Sequence, residues 1–332
     1  MTADGTEGNT NVMRVLVVGA GGAIGSKLVP QLAELGHQVT GTSRSAAKAG
    51  YLKSLGAEPA VLDVLDAGAV RAALTAARPD AVIYQATALT GISFSRNMDR
   101  AFAPTNRLRT DGTDNLVAAA REAGVTRVIA QSFAPFRYAH TGGPVKDESD
   151  PLFAPPPSAR LMVGAMAHND EAVTAAGGIA LRYGGFYGDE HNAMIEAVGK
   201  RQFPMIGNGG GFMSFIHVHD AAAATVLALD AVGPAIYNVT DDEPAPMRDW
   251  LPALAAVLGA KPPYRVPAWI AGLLMGKLLP MMTEARGASN AKAKKELGWT
   301  LRYPSWRDGF PAAYGRLARR RDRAARSGHT LR

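Results

Sequence analysis

The sequence predicts an α/β protein, a doubly wound parallel sheet with a smaller C-terminal substrate lobe. Short apolar, β-branched runs alternate with segments of helical periodicity up to residue 182, which is typical of a parallel sheet covered on both faces. The alternation lapses afterwards, so residues 183–315 are expected to form mainly a second lobe that is interwoven with the sheet. A cleft should lie where the strand order reverses.

The composition supports a globular protein, because the 332 residues are 47% hydrophobic and 20% charged. The chain has no run of 18 apolar residues, no signal peptide and no cysteine, so we expect a cytoplasmic protein with no membrane partner and no disulfide. Residues 316–332 hold seven arginines and one aspartate and carry six of the seven net positive charges. Because the excess charge is confined to this Arg-rich tail and the rest of the chain is nearly neutral, no nucleic-acid partner is expected. Residues 1–12 should be a disordered N-terminus.

Residues 13–44 have the pattern strand, tight turn, helix, strand. A strand over 15–18 leads into glycines at three-residue steps and a helix over 24–35, the glycines being Gly19, Gly22 and Gly25. The first glycine permits a sharp turn, the second lets the backbone approach a pyrophosphate, and the third allows close helix–strand packing. The free N–H groups at the helix start attract phosphate, so the unit predicts a dinucleotide site of the Rossmann type.

The remaining elements follow from apolar periodicity and turn residues. Up to residue 182 we predict strands over 38–42, 59–62, 81–85, 125–131 and 178–181, with helices over 46–55, 67–77, 105–123 and 159–176. Beyond it we predict a turn over 183–188, a strand in AIYNVTD, and helices over 193–200, 221–229, 247–258, 267–279 and 289–297.

Several segments resemble one known family, with VVGAGGAIG similar to its VTGxxGxxG and TNRLRTDGTDNL similar to its N-x-x-G-T-x-N-L. LRYGGFYG resembles LRPxxVYG, FIHVHDAAAA resembles F-x-HV-x-D-x-A-x-A, and AKKELGW resembles the closing LGW. Over residues 13–310 the chain is therefore similar to extended short-chain dehydrogenase/reductases of the NAD-dependent epimerase/dehydratase kind. The resemblance implies an NAD(P)-dependent oxidoreductase or epimerase that acts on a small-molecule substrate.

The resemblance and the strand ends together indicate the coenzyme site. The residues expected to contact the coenzyme are Gly19, Gly22, Ala23, Ile24, Gly25, Ser43, Arg44, Asp63, Val64, Ala86, Thr87, Gln131 and Tyr183. The second strand ends without the acid that would bind an adenosine ribose, and Arg44 there can clamp a 2′-phosphate. We therefore expect NADP, with NAD open as the alternative if Arg44 stacks over the adenine or points to water.

The family's catalytic pair is missing. Members carry Tyr-x-x-x-Lys on the helix after the fifth strand, where the tyrosine is the acid/base and the lysine lowers its pKa. In the family, an acid often lies four residues after the lysine. If that acid is Glu171 here, the lysine position is Ala167 and the tyrosine position is Val163. The helix over 159–171 contains neither residue type, so no shift in alignment restores the pair.

Other residues must then supply any acid or base. The proposed catalytic residues are Ser132, Tyr138 and His168, and the wider candidates are His140, Tyr183, Tyr187 and His191. Tyr138 should face the cleft, whereas His217 and His219 should be structural and Asp220 should cap the following helix. Three functions stay open: an oxidoreductase or epimerase with an unusual acid/base, a non-redox isomerase or cyclase, and a silent NAD(P)-binding sensor. No metal site is expected, because the histidines lack a third ligand at suitable spacing.

The substrate pocket should be apolar and aromatic, lined by the loop over 88–100, the segment over 188–215, and Phe94, Phe133, Phe136, Phe186, Phe203 and Phe212. Few charges are available there to bind a nucleotide-sugar diphosphate, which favours a modest apolar metabolite. A homodimer is expected through the alanine-rich helices over 105–123 and 159–176, the positions through which similar proteins pair.

Overall fold

The computed structural model of the chain describes residues 12–89, 97–189 and 192–315. Its centre is a sheet whose strands are β1 (Arg14–Val18), β2 (Gln38–Ser43), β3 (Glu58–Val61), β4 (Ala81–Tyr84), β5 (Arg127–Phe133), β6 (Ile179–Tyr183) and β7 (Ala235–Val239). All neighbours run parallel, in the spatial order β7-β6-β5-β4-β1-β2-β3. This confirms the doubly wound α/β class, with the strand order reversing between β1 and β4.

Helices cover the sheet and build the second lobe. They are α1 (Gly25–Glu34), α2 (Ala49–Ser54), α3 (Ala67–Ala77), α4 (Met98–Ala101), α5 (Ala103–Arg107), α6 (Thr113–Glu122), α7 (Arg160–Ala175), α8 (Ala193–Gly199), α9 (Val218–Leu227), α10 (Met247–Val257), α11 (Ala268–Met275), α12 (Leu279–Thr283) and α13 (Ala291–Leu297). Residues 306–315 are also helical. Within the described ranges, no helix has both the length and the apolar character that a membrane crossing requires.

The alternation along β1 explains why both faces are covered. Val15 and Val17 pack into a core with α1 and α9, whereas Leu16 and Val18 pack into the opposite core with α3 and α6. All four side chains are at most 3% exposed. Burying each such side chain contributes roughly 1.5–3 kcal/mol, so helices are required on both sides of the strand.

The region after residue 182 contributes to the sheet as well as to the second lobe. Its strand β7 is an edge strand beside β6, and α9 packs against α1. The expected turn over 183–188 is wrong in part, because Gly185–Tyr187 forms a short parallel strand with Phe215–His217. Gly184 makes this close approach feasible, since a Cβ on it would lie 2.8 Å from the Phe215 carbonyl carbon.

The predicted role of Asp220 as a helix cap is wrong. The side chain that caps α9 is His217, whose Nδ1 accepts from the His219 N–H at 3.1 Å. Asp220 lies inside the helix, where its carboxylate accepts the N–H groups of Arg302 and Tyr303, both at 2.9 Å. The acid therefore fastens the C-terminal segment to α9 instead of starting the helix.

The helix predicted over 105–123 contains a wider turn. Between α5 and α6, the residues Leu108–Gly112 form a π-helical segment. The Tyr84 hydroxyl donates to the Leu108 carbonyl at 2.6 Å, and a Cβ on Gly112 would lie 2.6 Å from that hydroxyl oxygen. A buried tyrosine thus occupies the space beside this turn, and such π-bulges often occur at functional sites.

Candidate functional site

The turn after β1 has the geometry that its glycines predict. Gly19 adopts φ +89°, and a Cβ there would lie 2.9 Å from the Ala86 nitrogen at the end of β4. A Cβ on Gly25 would lie 2.5 Å from the carbonyl oxygens of Gly19 and Ala20, so only glycine lets α1 start this close to the strand. At Gly22 the added atom would be only 3.3 Å from the Gly19 oxygen.

The start of α1 is suited to bind an anion. Among the described residues, no side chain caps this helix and none in its first turn is acidic. The turn's Gly21 and Gly22 line a large cavity, so a phosphate there would meet backbone N–H groups and the positive end of the helix dipole. These features fit a dinucleotide diphosphate.

The cavity measures about 1000 Å³ and extends along the carboxyl edge of the sheet from β3 to β5, and over to the second lobe. Most residues expected to contact the coenzyme line it, namely Gly19, Gly22, Ala23, Ile24, Ser43, Arg44, Asp63, Val64, Ala86, Thr87 and Gln131. Gly25, also expected to contact the coenzyme, does not line the cavity. Lys48 and Gln85 are among the lining residues that the sequence analysis does not predict. The buried Gln85 Oε1 has no hydrogen-bond partner within the described part of the chain, which leaves an acceptor available to a ligand.

Tyr183 does not line the cavity, contrary to the prediction of a coenzyme contact. Its side chain is fully buried, and its hydroxyl bonds the Thr225 hydroxyl at 2.6 Å and the Gln85 Nε2 at 3.0 Å. Burial raises the pKa of Tyr183 to about 12. Being the last residue of β6, it points under the sheet towards α9, so it positions Gln85 instead of meeting the coenzyme.

The end of the cavity away from β2 forms an apolar chamber. Its walls consist mainly of methionine and phenylalanine side chains, namely Met98, Met162, Met166, Met194, Met213, Met275, Met281 and Met282 with Phe102, Phe133, Phe136 and Phe186. Phe203 and Phe212, also expected here, line a small neighbouring cavity instead. Phe94 and His191 lie outside the described residues, as do most of the loop over 88–100, residues 1–11 and the Arg-rich tail.

None of the three proposed catalytic residues lines this cavity. Tyr138 is 1% exposed, donates to Asn238 Oδ1 at 2.7 Å and accepts from Arg182 at 3.2 Å. Burial raises the pKa of Tyr138, although Arg182 opposes the rise. The prediction that Tyr138 faces the cleft is therefore wrong, because the loop after β5 turns its side chain towards the sheet edge.

Ser132 and His168 are also directed elsewhere. The Ser132 hydroxyl is buried without a hydrogen-bond partner among the described residues, while its neighbours Gln131 and Phe133 line the cavity, as strand alternation requires. The His168 Nε2 lies 2.7 Å from an Asp114 carboxylate oxygen on α6, and its side chain is 41% exposed. His168 thus joins two helices at the surface and does not reach the chamber.

Two of the wider candidates, His140 and Tyr187, have structural contacts as well. His140 stacks on Phe153 with ring centroids 4.3 Å apart, and its Nδ1 lies 3.5 Å from Glu284. Tyr187 is fully buried in the core of the second lobe, where burial raises its pKa. Among the described residues, no group of three histidine, aspartate or glutamate side chains could hold a metal ion.

The helix that should carry Tyr-x-x-x-Lys presents methionines at those positions. Its buried acid is Asp170, whereas Glu171 is exposed, so we place the family's acid at Asp170 and not at Glu171, from which Val163 and Ala167 are counted. Counted from Asp170, they become Met162 and Met166, and both line the chamber. Neither thioether can donate a proton, so the absence of the pair is a feature of the chamber wall.

Beneath the chamber lies a cluster of three arginines and one aspartate, Arg109, Arg137, Arg182 and Asp170, of which none is more than 8% exposed. The carboxylate accepts from Arg137 at 2.7 Å and from Arg182 at 2.8 Å. Arg109 projects from the π-helical segment into the cavity wall, at the position where the N-x-x-G-T pattern has asparagine. Burial and the nearby Arg137 lower the pKa of Arg109 to about 10, which still leaves it charged at neutral pH.

Comparison with known proteins agrees with this geometry. Residues 15–240 match the NAD dependent epimerase/dehydratase family, and the chain belongs to that family. It is an NAD(P)-dependent enzyme of the oxidoreductase and epimerase class that acts on small metabolites.

The chain is similar to individual proteins of known sequence or structure. The chain is 43% identical over 310 residues to 3-diazoavenalumate denitrifying reductase of a Streptomyces species. The aligned region covers 90% of this chain and 99% of the relative. Among solved structures, it resembles Thermus thermophilus UDP-glucose 4-epimerase in complex with NAD, with 22% identity, a TM-score of 0.69 and coverage of 92% and 99%. Human epimerase family protein SDR39U1 with NADPH is similar at 20% identity, with the same TM-score and coverage.

Proposed function

We propose that this chain is an NADPH-dependent reductase that replaces the diazonium group of an aromatic compound with hydrogen and releases dinitrogen. The observation that carries the proposal is the chamber beside the coenzyme turn. Within the described ranges its walls hold no tyrosine, histidine or lysine, and methionines stand at both positions of the family pair. The similarity to a reductase named for a diazo compound supports the same conclusion.

The chemistry explains why a proton donor is dispensable. Reduction of a carbonyl needs a proton for the developing alkoxide, and a tyrosine activated by lysine is the family's way of supplying it. An aryl diazonium ion is already a cation. The electron pair of the incoming hydride becomes the new C–H bond, and the electron pair of the C–N bond leaves with N₂. No proton is consumed or released.

The chain's own residues bind, orient and shield the reactants. When the coenzyme is bound, its nicotinamide would supply a hydride ion to the substrate. The glycine turn and the start of α1 hold the diphosphate, while Gln85 Oε1 and Gln131 are positioned to accept or donate hydrogen bonds at the chamber entrance. The phenylalanine rings at the chamber suit a cationic aryl group through their negative faces. The apolar wall limits the access of water, which would otherwise react with a diazonium ion.

For the coenzyme, we propose NADP(H) over NAD(H). Ser43, Arg44 and Lys48 line the cavity at the end of β2, and β2 itself contains no acid. Two cations can bind a 2′-phosphate, whereas an unmodified ribose gains nothing from them. The homodimer and the cytoplasmic location stay predictions.

The proposed reaction is tested with 4-methoxybenzenediazonium and its matched ketone, 4-methoxyacetophenone. We expect NADPH oxidation, one N₂ and one methoxybenzene for each diazonium consumed, faster than with heat-denatured protein, and no reduction of the ketone. Gly22→Val, which should block the coenzyme, serves as the folded control. Turnover of the ketone, or a diazonium rate equal to that of the control, would overturn the proposal.

A further inference from the structure

We infer that Arg109 binds a negatively charged oxygen of the substrate, a carboxylate or a phenolate. The enzyme would then bind aromatic compounds that carry such an anion more tightly than their uncharged counterparts. This inference deepens the proposed function and rests on it for the nature of the reaction, although the anion site itself can be tested without turnover.

Within the part of the chain that the structure describes, Arg109 is a buried cation without a hydrogen-bond or ion-pair partner. It is 8% exposed, and among the described residues no carboxylate lies within 4 Å of its guanidinium and no hydrogen bond to it is formed. Buried charges are normally paired, because removing an uncompensated charge from water is strongly unfavourable. An unpaired guanidinium that lines a cavity can bind an anionic group of a ligand that enters the cavity.

The surrounding charges leave Arg109 unneutralised. Among the described residues the one buried carboxylate nearby is Asp170. Its Oδ2 accepts from both Arg137 and Arg182, and its Oδ1 has no hydrogen-bond partner there, so no bond from it reaches Arg109. It raises the pKa of Arg109 only enough to offset part of the opposing effects of burial and Arg137. The cluster therefore holds three guanidinium groups and one carboxylate, and it would gain most from a second anion on the cavity side.

The position of Arg109 favours the substrate over the coenzyme phosphates. The described cations at the coenzyme end are Arg44 and Lys48 on the β2 side, whereas Arg109 comes from the segment that packs against α7, which carries Met162 and Met166. An apolar wall lowers the local dielectric and strengthens a charge-assisted bond. The guanidinium can also grip a carboxylate with two parallel N–H groups.

The anion site also suits the reaction. A diazonium group is a cation, and the chamber's phenylalanine rings are the neighbours that it should prefer. An anionic oxygen elsewhere on the same molecule would be held by Arg109. Opposite charges at two ends of the substrate would then fix its orientation relative to the coenzyme.

The test is calorimetric titration of the NADP⁺-saturated protein with inert probes. Cinnamate and cinnamamide differ only in the carboxylate, and 4-nitrophenolate reports a phenolate by its visible absorption. The variants are Arg109→Met, Arg109→Lys and, as the matched control on the same helix, Arg107→Met, whose side chain is 64% exposed. Thermal unfolding checks that each variant is folded.

We expect Arg109→Met to bind the preferred anion roughly 10- to 100-fold more weakly, the usual effect of losing hydrogen bonds to a charged group. Arg109→Lys should lose less, while Arg107→Met and the binding of cinnamamide should not change. The probe that loses affinity identifies the source as carboxylate or phenolate. Unchanged binding of both anions to Arg109→Met, or an equal loss for cinnamamide, would overturn the inference. If binding depends on Arg109 but diazonium ions are not reduced, the proposed reaction fails and the anion site stands.

Discussion

Replacing Asp170 with asparagine should be the most damaging isosteric change in the cluster beneath the chamber. The carboxylate is 2% exposed and accepts from Arg137 at 2.7 Å and from Arg182 at 2.8 Å, and these arginines are 1% and 3% exposed. Removing one partner of a buried ion pair costs about 3–5 kcal/mol, because the remaining charges stay buried. Here the change leaves three guanidinium groups without a carboxylate, so Asp170→Asn should lose at least that amount.

The measurement is the free energy of unfolding in urea at neutral pH, compared with Asp114→Asn. Asp114 also has a close nitrogen partner, His168 Nε2 at 2.7 Å, but the two side chains are 56% and 41% exposed. An exposed pair contributes about 0–1 kcal/mol. The two variants should therefore differ by several kcal/mol, and a loss in Asp170→Asn no larger than that in Asp114→Asn would refute this account of the cluster.

Three further predictions concern the turn, the coenzyme and pH. Gly25→Ala should lower the melting temperature, because its Cβ would lie 2.5 Å from two carbonyl oxygens. Gly22→Ala should instead stay folded and lose NADPH affinity in fluorescence titration, and equal changes of melting temperature in the two variants would contradict these roles. Arg44→Ser should weaken NADPH binding and leave NADH binding unchanged, and an equal loss for both would place Arg44 elsewhere. Burial lowers the pKa of His217 to about 4, so the protein should lose stability as pH falls from about 6.5 towards 4, and His217→Gln should reduce that loss in melting curves.

Much of the fold could be predicted because it depends on local patterns. The helix over Ala67–Ala77 was predicted residue for residue, and the central strands were placed within two residues at nearly every end. The Asp66 side chain accepts from Gly68 and Ala69, a cap that a sequence displays directly. Strand β7 was recognised as a strand, but nothing local shows that it returns to pair with β6.

The catalytic candidates were harder to place because they depend on the direction of single side chains. Two adjacent acids, Asp170 and Glu171, allow two registers for α7, and a shift of one residue moves the expected catalytic positions from Met162 and Met166 to their neighbours. Tyr138 lies on a loop, where periodicity gives no indication of which way a side chain points. The methionines could have been found by their spacing of four on a helix.

Arg109 shows a different limit of sequence reasoning. Its departure from the N-x-x-G-T pattern is visible in the sequence, but its burial depends on a π-helical turn that forms around Tyr84. A hydroxyl from β4 that bonds a carbonyl 24 residues later is a tertiary contact. No local pattern predicts it, and the cation would otherwise be assigned to the helix surface.

The central claim is that hydride transfer here uses no proton from the protein, and one isotope experiment tests it directly. The rate of 4-methoxybenzenediazonium reduction is measured with NADPH and with [4-²H]NADPH, each in H₂O and in D₂O, at several values between about pH 5 and 7, where the probe remains a cation. We predict a slower reaction with the deuterated coenzyme, no effect of D₂O and a flat pH profile. A slower rate in D₂O together with a pH-dependent limb would reveal an acid in the reaction and contradict the claim.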